Sequence, residues 1–306
     1  MIIVEKGESP LILCLPHTGI DVPPAVEKRF SATGRLQADI SWRLEQVLDL
    51  ARELDATIIR STISRYVIDV DRPADQTEDP GISPRENLCP LSTLDLKRIY
   101  QADEEPGPIE IEQRTLLFYH PFHQALEEQI GRLRRLHDEV VLFDCQSMRS
   151  RIRGFVEGEL PVINIGTADG QSCSEGLRST FAGSFTGLSG FSVAVDEVLG
   201  GSYITEKYGV PADGLHSLTL VIAQRVYLRH ESPPFEPDKA RIARLKTALV
   251  DGFSRVIDWT KSDSHLATPN ELLQPSVGEA SLADAEELSP QEGDNTKWTP
   301  YPLVAE

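Results

Sequence analysis

The segment at residues 140–150, VVLFDCQSMRS, joins an apolar run to a set of polar side chains that could do chemistry. Apolar residues lead up to Asp144, and Gln146, Ser147 and Arg149 follow with no turn residue between them. In an α/β protein, ligands bind at the carboxyl ends of buried strands. Gln146 is therefore predicted to lie at a ligand-binding edge, which raises the question of its role there.

Three further polar clusters lie at predicted strand ends or loops: PHTG at 16–19, SRY at 64–66 with Asp71 and Arg72, and LHS at 215–217. In a doubly wound sheet such clusters can converge on one rim although they are far apart in sequence. Each is weak alone. A histidine after a strand, such as His17, is more often a hydrogen-bonded structural residue, and residues 69–72 could form only a surface ion pair.

The elements that must position these residues follow from hydrophobic periodicity. Strands are predicted at 11–15, 56–61 and 65–73, with an amphipathic helix at 36–54 between the first two, which indicates a βαβ unit and a parallel sheet. Residues 74–108, rich in Pro and acids, are expected to form an extended surface excursion. A long helix is predicted at 109–137. The remaining strands are predicted at 139–144, 161–166, 191–195 and 216–222, and the remaining helices at 174–185 and 238–259.

Composition limits the classes of partner and the compartment. The net charge of −18 over 306 residues argues against nucleic-acid and anionic-membrane partners, which require clustered Lys and Arg. The four cysteines form no C-x-x-C pair and no leader precedes them, which favours a reducing cytoplasm. No apolar run approaches the roughly 18 residues that span a bilayer. Residues 1–262 are expected to form one globular domain and residues 263–306 an acidic, disordered tail.

Seven segments carry a resemblance to a known family: LPHTGIDVPP, SRYVIDVDRP, YHPFHQAL, DCQSMRSRI, EGELPVINIGTADGQSC, GGSYITEKYGVP and LHSLTLVIAQRVYL. In order, spacing and wording they resemble the N-formylglutamate amidohydrolase (N-formylglutamate deformylase) family, over roughly residues 11–259. The resemblance implies a three-layer α/β/α sandwich with a mixed, mostly parallel sheet, as in zinc carboxypeptidases. It also implies hydrolysis of N-formyl-L-glutamate to glutamate and formate at the end of a histidine-degradation route.

Such chemistry needs a zinc ion with three protein ligands, an open position for water, and a carboxylate that moves the proton. A guanidinium would bind the carboxylates of a glutamate-like substrate. On the substrate side, the resemblance assigns binding roles to six residues: Arg65, Arg72, His123, Ser147, Arg149 and His216.

On the metal side, the resemblance leaves His17 as the clear ligand. Family members typically read DTDWH where this chain reads DISWR, so Ser41 takes the place of a ligating acid, and Asp39 could supply an oxygen instead. They read D-HS where this chain reads DCQS, so Gln146 takes the place of a ligating histidine. Val221 stands where the family's QLEMAQ places the expected general base. Asp71 and Asp196 replace asparagines of the family pattern.

These residues leave three hypotheses open. The first is an N-acyl amino acid amidohydrolase with a metal site re-formed around His17 and Asp39. The second is a catalytically inactive family member that binds an acidic or N-acyl amino acid as a sensor or regulatory protein. The third and weaker hypothesis is an interaction module whose acidic tail docks a partner.

Overall fold

The computed structural model describes residues 1–75 and 83–262. Within them, seven strands form one sheet in the order β1-β3-β2-β4-β7-β5-β6. The strands are β1 (Ile2–Glu5), β2 (Leu11–Leu15), β3 (Thr57–Ser61), β4 (Val140–Met148), β5 (Ile163–Gly166), β6 (Val193–Val195) and β7 (Leu215–Ala223).

The sheet is mixed. Strand β2 pairs in parallel with both β3 and β4, and β4 pairs in parallel with β7. At the edges, β1 runs antiparallel to β3, β5 runs antiparallel to β7, and β6 runs parallel to β5. The predicted mixed, mostly parallel sheet is thereby confirmed. Because β2, β4 and β7 are neighbours with one direction, their carboxyl ends meet at a single edge of the sheet.

Helices pack on both faces of this sheet. They are α1 (Pro24–Glu27), α2 (Ala32–Leu36), α3 (Leu44–Val47), α4 (Ala51–Leu54), α5 (Pro108–Arg114), α6 (His120–Leu133), α7 (Glu175–Gly183), α8 (Tyr203–Tyr208) and α9 (Lys239–Trp259). Alternate residues of β2 enter different cores: Leu13 packs with residues of α3, α4, α7 and α9, whereas Ile12 packs with residues of α1, α6 and α8. The predicted three-layer α/β/α arrangement follows from this alternation.

The prediction of a single helix at 36–54 is wrong. The backbone of Gln37 and Arg43 is left-handed, and only the short helices α3 and α4 form in its place. Tertiary hydrogen bonds decide the outcome, because the Ser41 amide donates to the His17 carbonyl oxygen at 2.9 Å and holds this segment at the sheet edge.

The strand predicted at 65–73 is also wrong, since this segment forms turns. The Asp69 side chain accepts a hydrogen bond from the Asp71 amide at 3.0 Å, and the Asp69 amide donates to Leu88 O at 2.7 Å. Asp side chains compete in this way with sheet ladders for backbone donors. Strand β1 was not predicted from the sequence, and the helix predicted at 109–137 is divided by a π-helical turn at Thr115–Tyr119.

The predicted tail at 263–306 lies outside the described residues. Among the residues that the structure describes, no helix is long and apolar enough to cross a membrane.

Candidate functional site

A cavity of about 540 Å³ opens at the carboxyl ends of β2, β4 and β7. This volume falls in the range of small-molecule sites. One side of the cavity is polar and the other is apolar. Its polar lining includes His17, Arg65, Asp69, Asp71, Arg72, Asp75, Gln146, Ser202, Glu206 and Thr219. Its apolar lining includes Pro73, Leu94, Met148, Phe155, Leu199 and Val221.

Asp69 organises the polar side. Its Oδ1 accepts from His17 Nε2 at 2.6 Å, and its Oδ2 accepts from an Arg65 guanidinium nitrogen at 2.6 Å. Arg72 Nε lies 3.8 Å from the same Oδ2. Asp69 is fully buried, so these donors replace the water that the carboxylate loses on folding.

Gln146 connects His17 to two further acids. Its Oε1 lies 3.0 Å from His17 Nδ1, and its Nε2 donates to Asp71 Oδ2 at 2.8 Å and to Asp144 Oδ2 at 2.6 Å. Asp71 Oδ1 also accepts from the Ile204 amide at 2.9 Å, which ties the first turn of α8 to the site.

The three acids differ in their electrostatics. Burial alone would raise the pKa of Asp69, but the charges of Arg65 and His17 hold it well below its ordinary value. Burial raises the pKa of Asp71, and burial together with the Asp71 charge raises the pKa of Asp144 well above its ordinary value. The charged form is therefore favoured at Asp69 and disfavoured at Asp144.

His17, Gln146 and Ser41 lie together, as the sequence predicts. Ser41 is joined to His17 through the backbone, and its Oγ accepts from the Ser147 amide at 2.9 Å. The Ser41 side chain is directed at this backbone and is not part of the cavity lining.

Ser147 and Arg149 were predicted to bind substrate, and neither is part of the cavity lining. Successive side chains of a strand point to opposite faces, so Gln146 faces the cavity while the Ser147 hydroxyl bonds Tyr227 OH at 2.7 Å. Arg149 donates to Asp39 Oδ1 at 2.8 Å.

Asp39 was predicted as a metal ligand beside His17. Both of its oxygens have protein donors: Arg149 bonds Oδ1, while Tyr66 OH and the Leu94 amide bond Oδ2 at 2.7 and 2.9 Å. Asp39 is absent from the cavity lining. The structure therefore places Asp39 in an ion pair with Arg149, with both of its oxygens bonded to protein donors.

Neither of the two other predicted histidines is part of the cavity lining. His123, on α6, bonds Tyr208 OH at 2.8 Å and Val70 O at 2.9 Å, and burial lowers its pKa to about 3. His216 is the second residue of β7, and its Nε2 bonds Glu139 Oε2 at 2.7 Å. Because the cavity lies at the other end of β7, near Val221, the expectation that His216 shares this rim is corrected.

The apolar side is the part of the site that sequence reasoning missed. Leu94, Met148 and Val221 are buried in one cluster, against which Phe155 and Leu199 pack. These residues come from separate loops and strands without a common motif. The replacement of an expected acid by Val221 was the available signal.

A zinc ion of the kind that the family resemblance implies needs three protein ligands. Within residues 1–75 and 83–262, no group of three or more His, Cys, Asp or Glu side chains is placed to hold a metal ion. Position 146 offers a neutral amide, and the Ser41 hydroxyl is bonded to the backbone of Ser147. On this donor set, the part of the chain that the structure describes does not present three zinc ligands.

A mixed sheet covered by helices, with a polar cavity at the carboxyl ends of its parallel strands, defines an α/β protein with a cavity of ligand-binding size. The family model described as N-formylglutamate amidohydrolase matches residues 9–228, and the chain belongs to that family. It is 29% identical over 253 residues to the N-formylglutamate deformylase of Pseudomonas putida, covering 80% of this chain and 94% of that protein. It is also 29% identical to the N-formylglutamate deformylase of Pseudomonas aeruginosa over 242 residues, or 78% and 90% of the two chains.

Two solved structures share the fold. The N-formylglutamate amidohydrolase from Ralstonia eutropha JMP134 superposes with a TM-score of 0.71 at 22% identity, covering 85% of this chain and 98% of that one. A gene product of Agrobacterium tumefaciens superposes with a TM-score of 0.61 at 18% identity, covering 85% and 96%.

Proposed function

We propose that this protein binds an N-acyl amino acid in the cavity at the carboxyl ends of β2, β4 and β7, with the ligand carboxylate at Arg72. N-formyl-L-glutamate is the reference ligand that the family suggests. The observation that carries the proposal is one cavity that combines an accessible guanidinium with a polar centre at His17 and an apolar side.

Arg72 is better suited than Arg65 to meet a ligand. The Arg72 side chain keeps 33% of its exposure, and its contact with Asp69 is long at 3.8 Å. The Arg65 side chain is 8% exposed and is bonded to Asp69 at 2.6 Å. A planar guanidinium binds carboxylates through two parallel hydrogen bonds, so Arg72 supplies both charge and orientation.

We infer that the bound ligand is retained and not hydrolysed. Amide hydrolysis needs an activated water and a group that moves its proton to the leaving amine. Val221, at the position expected for that group, has no ionisable atom. Gln146 and Ser41 do not complete a zinc ligand set, so the residues on this side supply hydrogen bonds only. A sensor or regulatory role follows from this chemistry.

A second candidate function is hydrolysis of N-formyl-L-glutamate or a related N-acyl amino acid. Two deformylases that match most of this chain support it. The contact between His17 Nε2 and Asp69 also supports it, because metal-ligating histidines commonly donate their other nitrogen to a carboxylate. For either function, the proposal places the protein in a reducing cytoplasm, in line with its four free, buried cysteines.

Titration calorimetry with N-formyl-L-glutamate, in chelator and in added zinc, tests the proposal, with free glutamate measured in the same samples. Arg72→Ala should weaken binding about 10-fold to 150-fold, since a charge-assisted hydrogen bond contributes about 1.5–3 kcal/mol. The exposed Arg52 provides the control Arg52→Ala, which should bind as the wild type does. Zinc-dependent glutamate release at an enzymatic rate would establish the second candidate, and binding unaffected by Arg72→Ala would remove the role of Arg72.

A further inference from the structure

We propose that the cavity selects an N-acyl amino acid with one carboxylate and an apolar substituent over the dicarboxylate N-formyl-L-glutamate. This inference rests on the proposed function, because both concern the ligand of the same cavity. The apolar substituent could be the amino-acid side chain or the acyl group, and the experiment below distinguishes the two.

Charge is the first argument. A ligand with two carboxylates needs two accessible cations, and Arg65 is already bonded to buried Asp69 at 2.6 Å. Besides Asp69, the acids Asp71, Asp75 and Glu206 also line the cavity. A second ligand carboxylate would therefore approach carboxylates of the protein, and like charges at short range disfavour binding.

The apolar side is the second argument. Leu94, Met148 and Val221 retain 4%, 8% and 2% of their exposure and form a buried base. Phe155 and Leu199 are only partly buried, and both line the cavity above this base. An apolar substituent that covers these two side chains removes hydrocarbon surface from water on both sides of the contact.

Arg85 also links two parts of the apolar side. The guanidinium carbon of Arg85 lies 5.2 Å from the centre of the Phe155 ring. Arg85 Nη1 donates to Leu94 O at 3.3 Å and to Gly154 O at 3.2 Å. Arg85 thus connects the loop that carries Phe155 to the segment that carries Leu94. A surface that is ordered before the ligand arrives binds with a smaller loss of conformational entropy.

Three probes test the inference by titration calorimetry in chelator. N-formyl-L-methionine and N-formyl-L-glutamate have side chains of similar length that differ in charge, and N-hexanoylglycine carries its apolar group on the acyl side. Each buried methylene should tighten binding about fourfold. We expect at least one of the two apolar probes to bind about tenfold or more tightly than N-formyl-L-glutamate, and the tighter one identifies which substituent contacts the apolar side.

Variants of the apolar side provide the matched test. Phe155→Ser and Leu199→Ser should each weaken the apolar probe about tenfold and leave N-formyl-L-glutamate within about twofold. Leu188, which is 40% exposed and outside the cavity lining, provides the control Leu188→Ser. Circular dichroism establishes that each variant is folded, and two independent variants keep the test usable if one is not.

Two outcomes would overturn the inference and are distinct from a failure of the proposed function. Equal or tighter binding of N-formyl-L-glutamate leaves the proposed function intact and removes the apolar preference. Apolar probes that bind tightly but equally well to wild type, Phe155→Ser and Leu199→Ser remove the assigned surface. If all three probes fail to bind, the proposed function fails, and the inference fails with it.

Discussion

Asp69→Asn should lower the free energy of unfolding by about 3–5 kcal/mol, because it breaks a buried charge network from its centre. The carboxylate accepts two short, charge-assisted hydrogen bonds, from His17 and Arg65, each at 2.6 Å. Such bonds contribute about 1.5–3 kcal/mol each, or about 3–6 kcal/mol for the two, which covers the expected loss. Asn keeps the shape and one acceptor oxygen, but its amide nitrogen would face one of the two donors.

Urea unfolding followed by circular dichroism at pH 7 measures the difference. Asp251, exposed and paired with Arg255 at 2.9 Å, provides the control Asp251→Asn, which should change stability by less than about 1 kcal/mol. The folded pKa of Asp69 lies below its unfolded value of 3.8, so its contribution is present above that pH and is lost as the pH falls further. A loss no larger than that of Asp251→Asn would refute the network.

Three further predictions concern the same region. Ser41→Asp, Gln146→His and Val221→Glu together should raise zinc affinity in equilibrium dialysis and the rate of N-formylglutamate hydrolysis. Each substitution alone should do little, because ligands and base act as one unit. Equal gains from the single variants would contradict this prediction. Asp144→Asn should stabilise the fold more at pH 8 than at pH 5 in thermal denaturation. Burial raises the folded pKa of Asp144, so the stability contribution of this residue in the wild type is lost as the pH rises. Parallel pH profiles of wild type and variant would count against this prediction. In the wild type, His123 is buried and neutral with a pKa of about 3, so the unfolding free energy falls by about 1.4 kcal/mol per pH unit between about pH 6.5 and 3. His123→Gln should flatten this fall. An unchanged urea-derived slope would refute this assignment.

Much of the sheet could be predicted from sequence because its central strands are buried on both faces. The bounds of β2 (Leu11–Leu15) match the apolar run, and the polar end of β4 does meet His17. The family motifs indicated which of these residues lie together. The hydrophobic pattern and the family motifs were sufficient to predict the elements that are determined by strand pairing and apolar burial.

The remaining features depend on contacts between distant residues. The break at Ser41 results from a hydrogen bond to His17, and the turns at 65–73 result from Asp69 binding backbone and side-chain donors. Asp69 itself was not singled out as a site residue, because an acid between two arginines also suits a surface ion pair. Ser147 lies outside the cavity lining because its side chain is on the opposite face of β4 from Gln146, which the motif alone does not indicate.

The bond pattern around Gln146 also constrains how such a site can change during evolution. Its amide donates to both Asp71 and Asp144, so an imidazole at this position would keep at most part of that pairing and leave a buried carboxylate short of a donor. A buried acceptor without a partner costs about 1–3 kcal/mol. A single Gln146→His substitution is therefore expected to destabilise the protein unless position 71 or 144 changes with it. This dependence of position 146 on its two acidic partners restricts which single substitutions the site tolerates, whatever ligand the cavity holds.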